Sequence, residues 1–136
     1  PRYNLLQRIE FETEMAELVA NYGLGVIPYS PLAGGTLTGK YKDPTNIPEG
    51  TRAAEKISMH RYLTPKNLIA IKELTRIGKG NNKTTGQTAI AWLLSNPLIT
   101  APIIGARNCN QLKETLGAAG YRLRPEEISN LRDLTD

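Results

Sequence analysis

Two short apolar runs, Gly25-Val26-Ile27-Pro28-Tyr29 and Ala101-Pro102-Ile103-Ile104-Gly105, decide most of what this chain can fold into. Each is too short for a helix and is apolar without alternation, the pattern of a parallel strand buried on both faces. A helical stretch precedes each run. Over residues 11–22 the apolar Phe11, Met15, Leu18, Val19 and Tyr22 share one helical face, and Gly23 ends the segment. Glu10, Glu12, Glu14 and Glu17 crowd the N-terminal end, where the helix dipole favours acids, and they read as a solvated helix end. Before the second run, residues 85–95 are apolar nearly all round, which predicts a largely buried helix with Trp92 in the core. Helix followed by strand is the order of an α/β fold.

The remaining helices announce themselves by their ends. Thr64 stands as N-cap before Pro65, and Leu68, Ile71, Leu74 and Ile77 stripe a helix over 65–78 that Gly78, Gly80 and Asn81 stop. Asn108 caps a helix striped by Leu112, Leu116 and Ala119 and closed by Gly120. A last helix begins at Pro125, with Glu126 and Glu127 in its first turn and Ile128, Leu131 and Leu134 on one face. Between Ser30 and Gly50 the chain is rich in Gly, Pro and Thr and lacks periodicity; a loop of that length is usually functional or mobile. The opening Tyr3-Asn4-Leu5-Leu6 reads as the end of a strand with nothing before it, which suggests a fragment or a processed product.

At 136 residues, one compact core is feasible and two complete domains are not expected, so residues 1–136 are read as a single segment. No apolar run approaches the roughly 20 residues of a membrane helix, and the opening has no stretch of signal-peptide length. A cytoplasmic protein without membrane partners is expected. The single Cys109 excludes an internal disulfide and a Cys-based zinc site. A net charge of +4 is compatible with a phosphorylated ligand or with nucleic acid, but the basic residues are interleaved with Glu and only 6% of the chain is aromatic. That gives no stacking platform, and a nucleic-acid partner is not expected.

Two stretches carry chemistry. Tyr29-Ser30-Pro31-Leu32-Ala33-Gly34-Gly35-Thr36-Leu37-Thr38-Gly39-Lys40-Tyr41 follows the first run directly, and ligands of parallel α/β folds sit at the carboxyl ends of strands. Its glycines allow close backbone approach to a phosphate, Ser30 and Thr38 add hydroxyls, and Lys40 adds a compact charge. The spacing fits neither a P-loop nor a dinucleotide-fold fingerprint, and a structural turn with a surface lysine explains it equally well. Gly105-Ala106-Arg107-Asn108-Cys109-Asn110-Gln111-Leu112-Lys113-Glu114 takes the second run into a helix N-terminus. Free N–H groups and the guanidinium of Arg107 suit an anion there, against the plainer reading of a capped helix with an exposed Arg. Two such sites on neighbouring strands point to a ligand with more than one phosphate.

On these residues the sequence resembles the C-terminal half of an aldo-keto reductase. The likeness is carried by Tyr3-Asn4-Leu5-Leu6 with Arg8, by Val26 to Gly35, by Leu37-Thr38-Gly39-Lys40-Tyr41, by Ala89 to Pro97 and by Pro102-Ile103-Ile104-Gly105-Ala106-Arg107. The resemblance implies the C-terminal half of a (β/α)₈ TIM barrel, with parallel strands six to eight and their helices, that binds NADP(H) and reduces aldehydes or ketones. It implies that Tyr29 stacks on the nicotinamide and that Ser30, Pro31, Leu32 and Ala33 line the pyrophosphate. Lys40 and Arg52 resemble the basic positions that fold over the phosphates. Gly105, Arg107, Gln111 and Glu114 match the positions holding the adenosine end, with Arg107 at the 2′-phosphate. Thr115 departs from the family's usual Asn, which weakens the adenine contact. The family's catalytic Asp, Tyr, Lys and His belong to the N-terminal half, so no catalytic residue is placed in this chain and activity in isolation is not expected. A non-catalytic NADP(H)-sensing module resembling reductase-like auxiliary subunits is the alternative. An uncovered half-barrel is expected to self-associate or to pair with a complementary N-terminal half. His60 reads as a surface histidine and Cys109 as an inert residue of a helix first turn.

Overall fold

Capping chemistry sets most of the observed helix boundaries. In the computed structural model of the chain, residues 1–55 and 57–136 are described, and their side chains with them except at 52 and 57–59. The helices are α1 (Ala16–Tyr22), α2 (Arg52–Glu55), α3 (Pro65–Gly80), α4 (Thr85–Leu94), α5 (Cys109–Leu116) and α6 (Pro125–Asp133), with tighter 3₁₀ turns at Ala33–Thr38 and Ile57–Tyr62. Thr64 Oγ1 accepts from the Asn67 N–H at 3.2 Å and Pro65 opens α3, which runs to Gly80. Thr84 and Gln87 form a reciprocal capping box on α4. Asn108 caps α5 through the Gln111 N–H at 3.0 Å.

The first helix departs from its expected form. Phe11–Met15 is a wider turn in which the Ala16 N–H reaches the Phe11 carbonyl, and only then does α1 begin. The extra residue rotates α1 about its axis, so Phe11 and Val19 face inward while Met15, Leu18 and Tyr22 are exposed. Glu12 is also not the solvated acid expected. It accepts from Tyr3 Oη at 2.8 Å, from the buried Arg8 at 2.8 Å and from Arg132 at 3.0 Å, tying the first segment to α6. Burial pushes the Tyr3 hydroxyl above its ordinary pKa.

Three extended segments lie side by side and parallel. Arg2 pairs with Tyr29 and Val26 with Ile99. Tyr29 N–H donates to the Pro1 carbonyl at 3.0 Å, Thr100 N–H to Val26 at 2.8 Å and Ile103 N–H to Pro28 at 2.8 Å. Neither apolar run becomes a continuous strand, contrary to expectation. Pro28 and Pro102 have no N–H to give, and the Val26 N–H goes to Thr100 Oγ1 at 3.0 Å, which leaves isolated bridges. Burial on both faces is corrected as well: Val26 and Pro28 are buried against the helices, whereas Ile27 is 58% and Ile103 53% exposed on a face that nothing covers among the described residues.

The core fills the space between these segments and the helices. Tyr3 packs against Phe11, ring centroids 5.0 Å apart, and stacks on Trp92 at 5.8 Å, so Trp92 is a packing residue. Leu37, Leu74, Leu93 and Leu131 are fully buried around them. α5 is the exception. It buries none of its residues, and the expected stripe Leu112, Leu116 and Ala119 is exposed, although the helix packs against α4, whose Gln87 reaches the Glu114 carbonyl. No helix among the described residues is long and apolar enough to cross a membrane.

Candidate functional site

Both sequence motifs sit where an extended segment ends and the chain turns. In the first, the backbone enters the left-handed region at Ser30 (φ 59°), Ala33 (48°), Gly34 (66°) and Gly35 (98°). Such coiling of non-glycine residues is held by hydrogen bonds: the Ser30 carbonyl takes the Ala33 N–H and the Asn4 side-chain amide, both at 3.0 Å. Gly35 is required for conformation, and its lack of a side chain leaves room for Lys40. A Cβ there would stand 3.0 Å from Lys40 Nζ, whose side chain folds back across the turn. Thr38 Oγ1 closes the turn by donating to the Gly35 carbonyl at 2.7 Å.

In the second motif the chain leaves the Ile103–Ile104 segment, and Gln111 Oε1 accepts the Arg107 N–H at 2.8 Å. This bond and the Asn108 cap fix the turn that presents Arg107 at the start of α5. Thr115 Oγ1 donates to the Gln111 carbonyl at 2.9 Å. The guanidinium of Arg107 and the ammonium of Lys40 have no carboxylate within ion-pair distance among the described residues.

The two motifs face each other across one cleft of about 700 Å³. That volume lies within the range of small-molecule and cofactor sites, roughly 300–1,000 Å³. Of the residues singled out in the sequence, Ser30, Pro31, Leu32 and Lys40 line one side and Gly105, Arg107, Gln111 and Glu114 the other. Two stand apart from the lining. Ala33 is fully buried behind the turn, and the half-exposed Tyr29 ring carries the Arg2 guanidinium 5.4 Å over its centroid. The side chain of Arg52 lies outside the described residues. His60 is exposed, its Nε2 3.0 Å from the Ala53 carbonyl, and Cys109 is exposed at the first position of α5.

The structure adds Gly50, Thr51 and Gly86 to the wall. Gly86 had a sequence signal, a glycine in the first turn of an otherwise apolar helix, and a Cβ there would meet the Thr38 methyl at 3.7 Å and Leu32 at 3.8 Å. Gly50 and Thr51 had none, since nothing local tells which part of a long loop folds back. Among the described residues no group of three or more His, Cys, Asp or Glu could hold a metal. The chemistry the cleft offers is recognition of an anionic, extended molecule. It has two cations without a carboxylate partner among the described residues, a helix N-terminus, hydroxyls from Ser30 and from Thr51, the latter donating to the Pro48 carbonyl, and one carboxylate, Glu114, that can accept from ligand hydroxyl or amino groups.

Residues 1–136 match the sequence profile of the Aldo/keto reductase family. A protein of Oryza sativa subsp. japonica named "Probable voltage-gated potassium channel subunit beta" is 40% identical over 96% of this chain and 41% of its own length. An aldo-keto reductase of Schizosaccharomyces pombe whose name carries NADP(+) is 34% identical over 82% of this chain and 33% of its own. The solved structure of a glycerol dehydrogenase from Gluconobacter oxydans superposes with a TM-score of 0.79 at 25% identity, over 98% of this chain and 40% of that one. The chain thus spans well under half the length of the relatives it matches. The α/β arrangement of the three parallel segments and their helices is that of the aldo-keto reductases, and the chain belongs to the aldo/keto reductase family.

Proposed function

We propose that this chain forms the NADP(H)-holding part of an aldo-keto reductase that reduces aldehydes or ketones to alcohols, corresponding to strands six to eight of the (β/α)₈ barrel with their helices. The observation that carries this reading is the meeting of two distant strand-end motifs in one cleft, with Lys40 and Arg107 free of carboxylate partners among the described residues. The lining fits the group. Arg107 at the mouth of α5 suits a terminal phosphate through its planar fork, and the coiled turn at Ser30 to Gly35 offers backbone N–H groups and a hydroxyl to a pyrophosphate. Lys40 would lie over that pyrophosphate, Gln111 and Glu114 would hold the adenosine end, and the exposed Tyr29 ring would offer a stacking face to the nicotinamide. The cofactor, when bound, supplies the hydride. This chain's residues bind it, orient it along the open ends of the parallel segments and screen its charge. The proton donor and the substrate-facing wall are assigned to the remainder of the barrel.

A second reading is a non-catalytic NADP(H)-sensing module that acts through a partner. The 40% identity to a protein named as a channel β subunit favours it. Both readings require the cleft to bind NADP(H). Fluorescence titration or calorimetry of the chain with NADPH, NADH and 2′-phospho-AMP tests this: NADPH is expected to bind more tightly than NADH, and 2′-phospho-AMP to compete. Failure of all three to bind would overturn the assignment of the cleft. Carbonyl-dependent NADPH oxidation by the complete barrel separates the enzyme from the sensor.

A further inference from the structure

α5 carries Arg107 at its entrance and Gln111 and Glu114 along one side, so its position fixes one wall of the cleft. Yet it has almost no apolar anchorage. None of its residues is buried, and Leu112 and Leu116 are 41% and 55% exposed. Helices are ordinarily held to their neighbours by an apolar stripe. The anchorage of α5 is polar instead. Gln87, in the first turn of α4, donates from Nε2 to the Glu114 carbonyl at 2.7 Å. Lys83, just before α4, donates from Nζ to the Gly117 carbonyl at 2.9 Å, with its charge 5.6 Å from the Tyr121 ring centroid. Both donors reach carbonyls at the C-terminal end of α5, where the helix dipole favours positive or donor groups; the Glu114 carbonyl also accepts the Gly117 N–H at 3.0 Å.

Gln87 is committed twice. Its Oε1 accepts the Thr84 N–H at 3.0 Å while the Thr84 hydroxyl accepts the Gln87 N–H at 3.2 Å, so one oxygen closes the capping box of α4 and leaves the amide nitrogen to reach across. Gly117 makes room for that reach. Its φ of −62° suits any residue, but a Cβ there would collide with Gln87 Nε2 and stand 3.0 Å from the Glu114 carbonyl.

We infer that Gln87, helped by Lys83, is a positioning residue of the cleft: its bond to the Glu114 carbonyl seats α5 and so sets the distance of Arg107 and Gln111 from the turn at Ser30 to Lys40. For ligand affinity this rests on the NADP(H) reading; for the seating of α5 it does not. Because Gln87 belongs to α4, it couples the order of α5 to the packing of the core without touching the ligand.

Gln87→Glu keeps the oxygen that accepts from Thr84 and removes the donor to Glu114. Gln87→Lys does the reverse, and Gly117→Ala displaces the amide without changing it. Amide hydrogen exchange of the ligand-free chain is the first readout. Gln87→Glu and Gly117→Ala are expected to speed exchange across 109–118 about fivefold, the loss of one hydrogen bond, with α4 unchanged. Gln87→Lys is expected to leave α5 protected and to loosen the first turn of α4. The second readout is the NADPH dissociation constant, expected to rise at least as much in the first two variants and not in the third. Unchanged exchange in α5, or equal gains in α4 and α5, would overturn the inference and leave Gln87 as a cap alone. A wild-type chain that binds no NADPH while showing the expected exchange pattern would refute the cofactor reading and support the seating of α5.

Discussion

Gly78 and Gly80 are near neighbours on α3, yet replacing each by Ala should move stability in opposite directions. Both have ordinary helical backbone, so Ala gains about 1 kcal/mol of intrinsic helix preference at either position. At Gly80, exposed and with nothing within 4 Å of a Cβ, that gain stands alone, reduced by its place in the last turn. At the buried Gly78 a Cβ would lie 2.7 Å from the Lys83 carbonyl, 2.7 Å from Thr88 Oγ1 and 3.2 Å from the Thr84 carbonyl. Two of those atoms are backbone, so relief requires shifting the residues that cap α4. Overpacking of this kind costs about 3 kcal/mol, the upper end of its usual range. The expected net effect of Gly78→Ala is a loss of about 2 kcal/mol, against a gain of up to about 1 kcal/mol for Gly80→Ala. Urea unfolding followed by far-UV dichroism measures both, with the slope unchanged and the midpoint moving oppositely. A Gly78→Ala chain as stable as the parent would mean that the α3–α4 junction yields freely and is not close-packed at Gly78.

Arg107→Ala should weaken NADPH about tenfold or more and NADH far less, the cost of one charge-assisted contact; equal losses in paired titrations would remove Arg107 from the 2′-phosphate. Leu131→Ala, at a fully buried position of α6, should cost about 2–5 kcal/mol in the same urea assay, and a smaller loss would show that the site collapses easily. Hydrogen bonds from Arg124, through its side chain at 2.8 Å and its N–H at 2.9 Å, hold the Glu127 carboxyl below its ordinary pKa of 4.5. A group lowered in the folded state contributes stability that is complete above its unfolded value and is lost as pH falls through its folded one. Stability should therefore fall as the pH drops below about 4.5, and Glu127→Gln should lessen that fall while lowering stability at neutral pH. An unchanged acid limb in the variant would show that other carboxylates set it.

Features legible in the sequence are those decided within a few residues. Thr64 with Pro65, Asn108 and Pro125 each mark a helix start locally, and those helices begin close to where the sequence puts them. The two strand-end motifs are legible because an α/β order puts successive segment ends on one side, and the structure brings them to one cleft. The illegible features depend on remote partners. The wide turn at Phe11–Met15 has no signal in side-chain spacing, and it converts a five-residue apolar face into one that buries Phe11 and Val19. Glu12 looks like its acidic neighbours in sequence, and its bonds to Tyr3, Arg8 and, far along the chain, Arg132 distinguish it. The apolar runs promise strands, but hydrogen-bond pairing is settled between segments, and prolines in both interrupt it. The stripe on α5 promises burial, which a neighbour has to provide.

Ser30 sits at φ 59° without being glycine. A left-handed non-glycine residue costs of order 1–3 kcal/mol, and glycine at that position would be free of it. The serine hydroxyl makes no hydrogen bond within the protein among the described residues, although the residue faces the cleft. On the proposed reading of the cleft, stability is forgone at Ser30 in exchange for a hydroxyl on its wall, and Ser30→Gly should stabilise the chain while weakening NADPH binding. Variation at this position should accordingly follow ligand chemistry and not thermal tolerance, and glycine should be the first residue to appear in lineages that have stopped using the cleft.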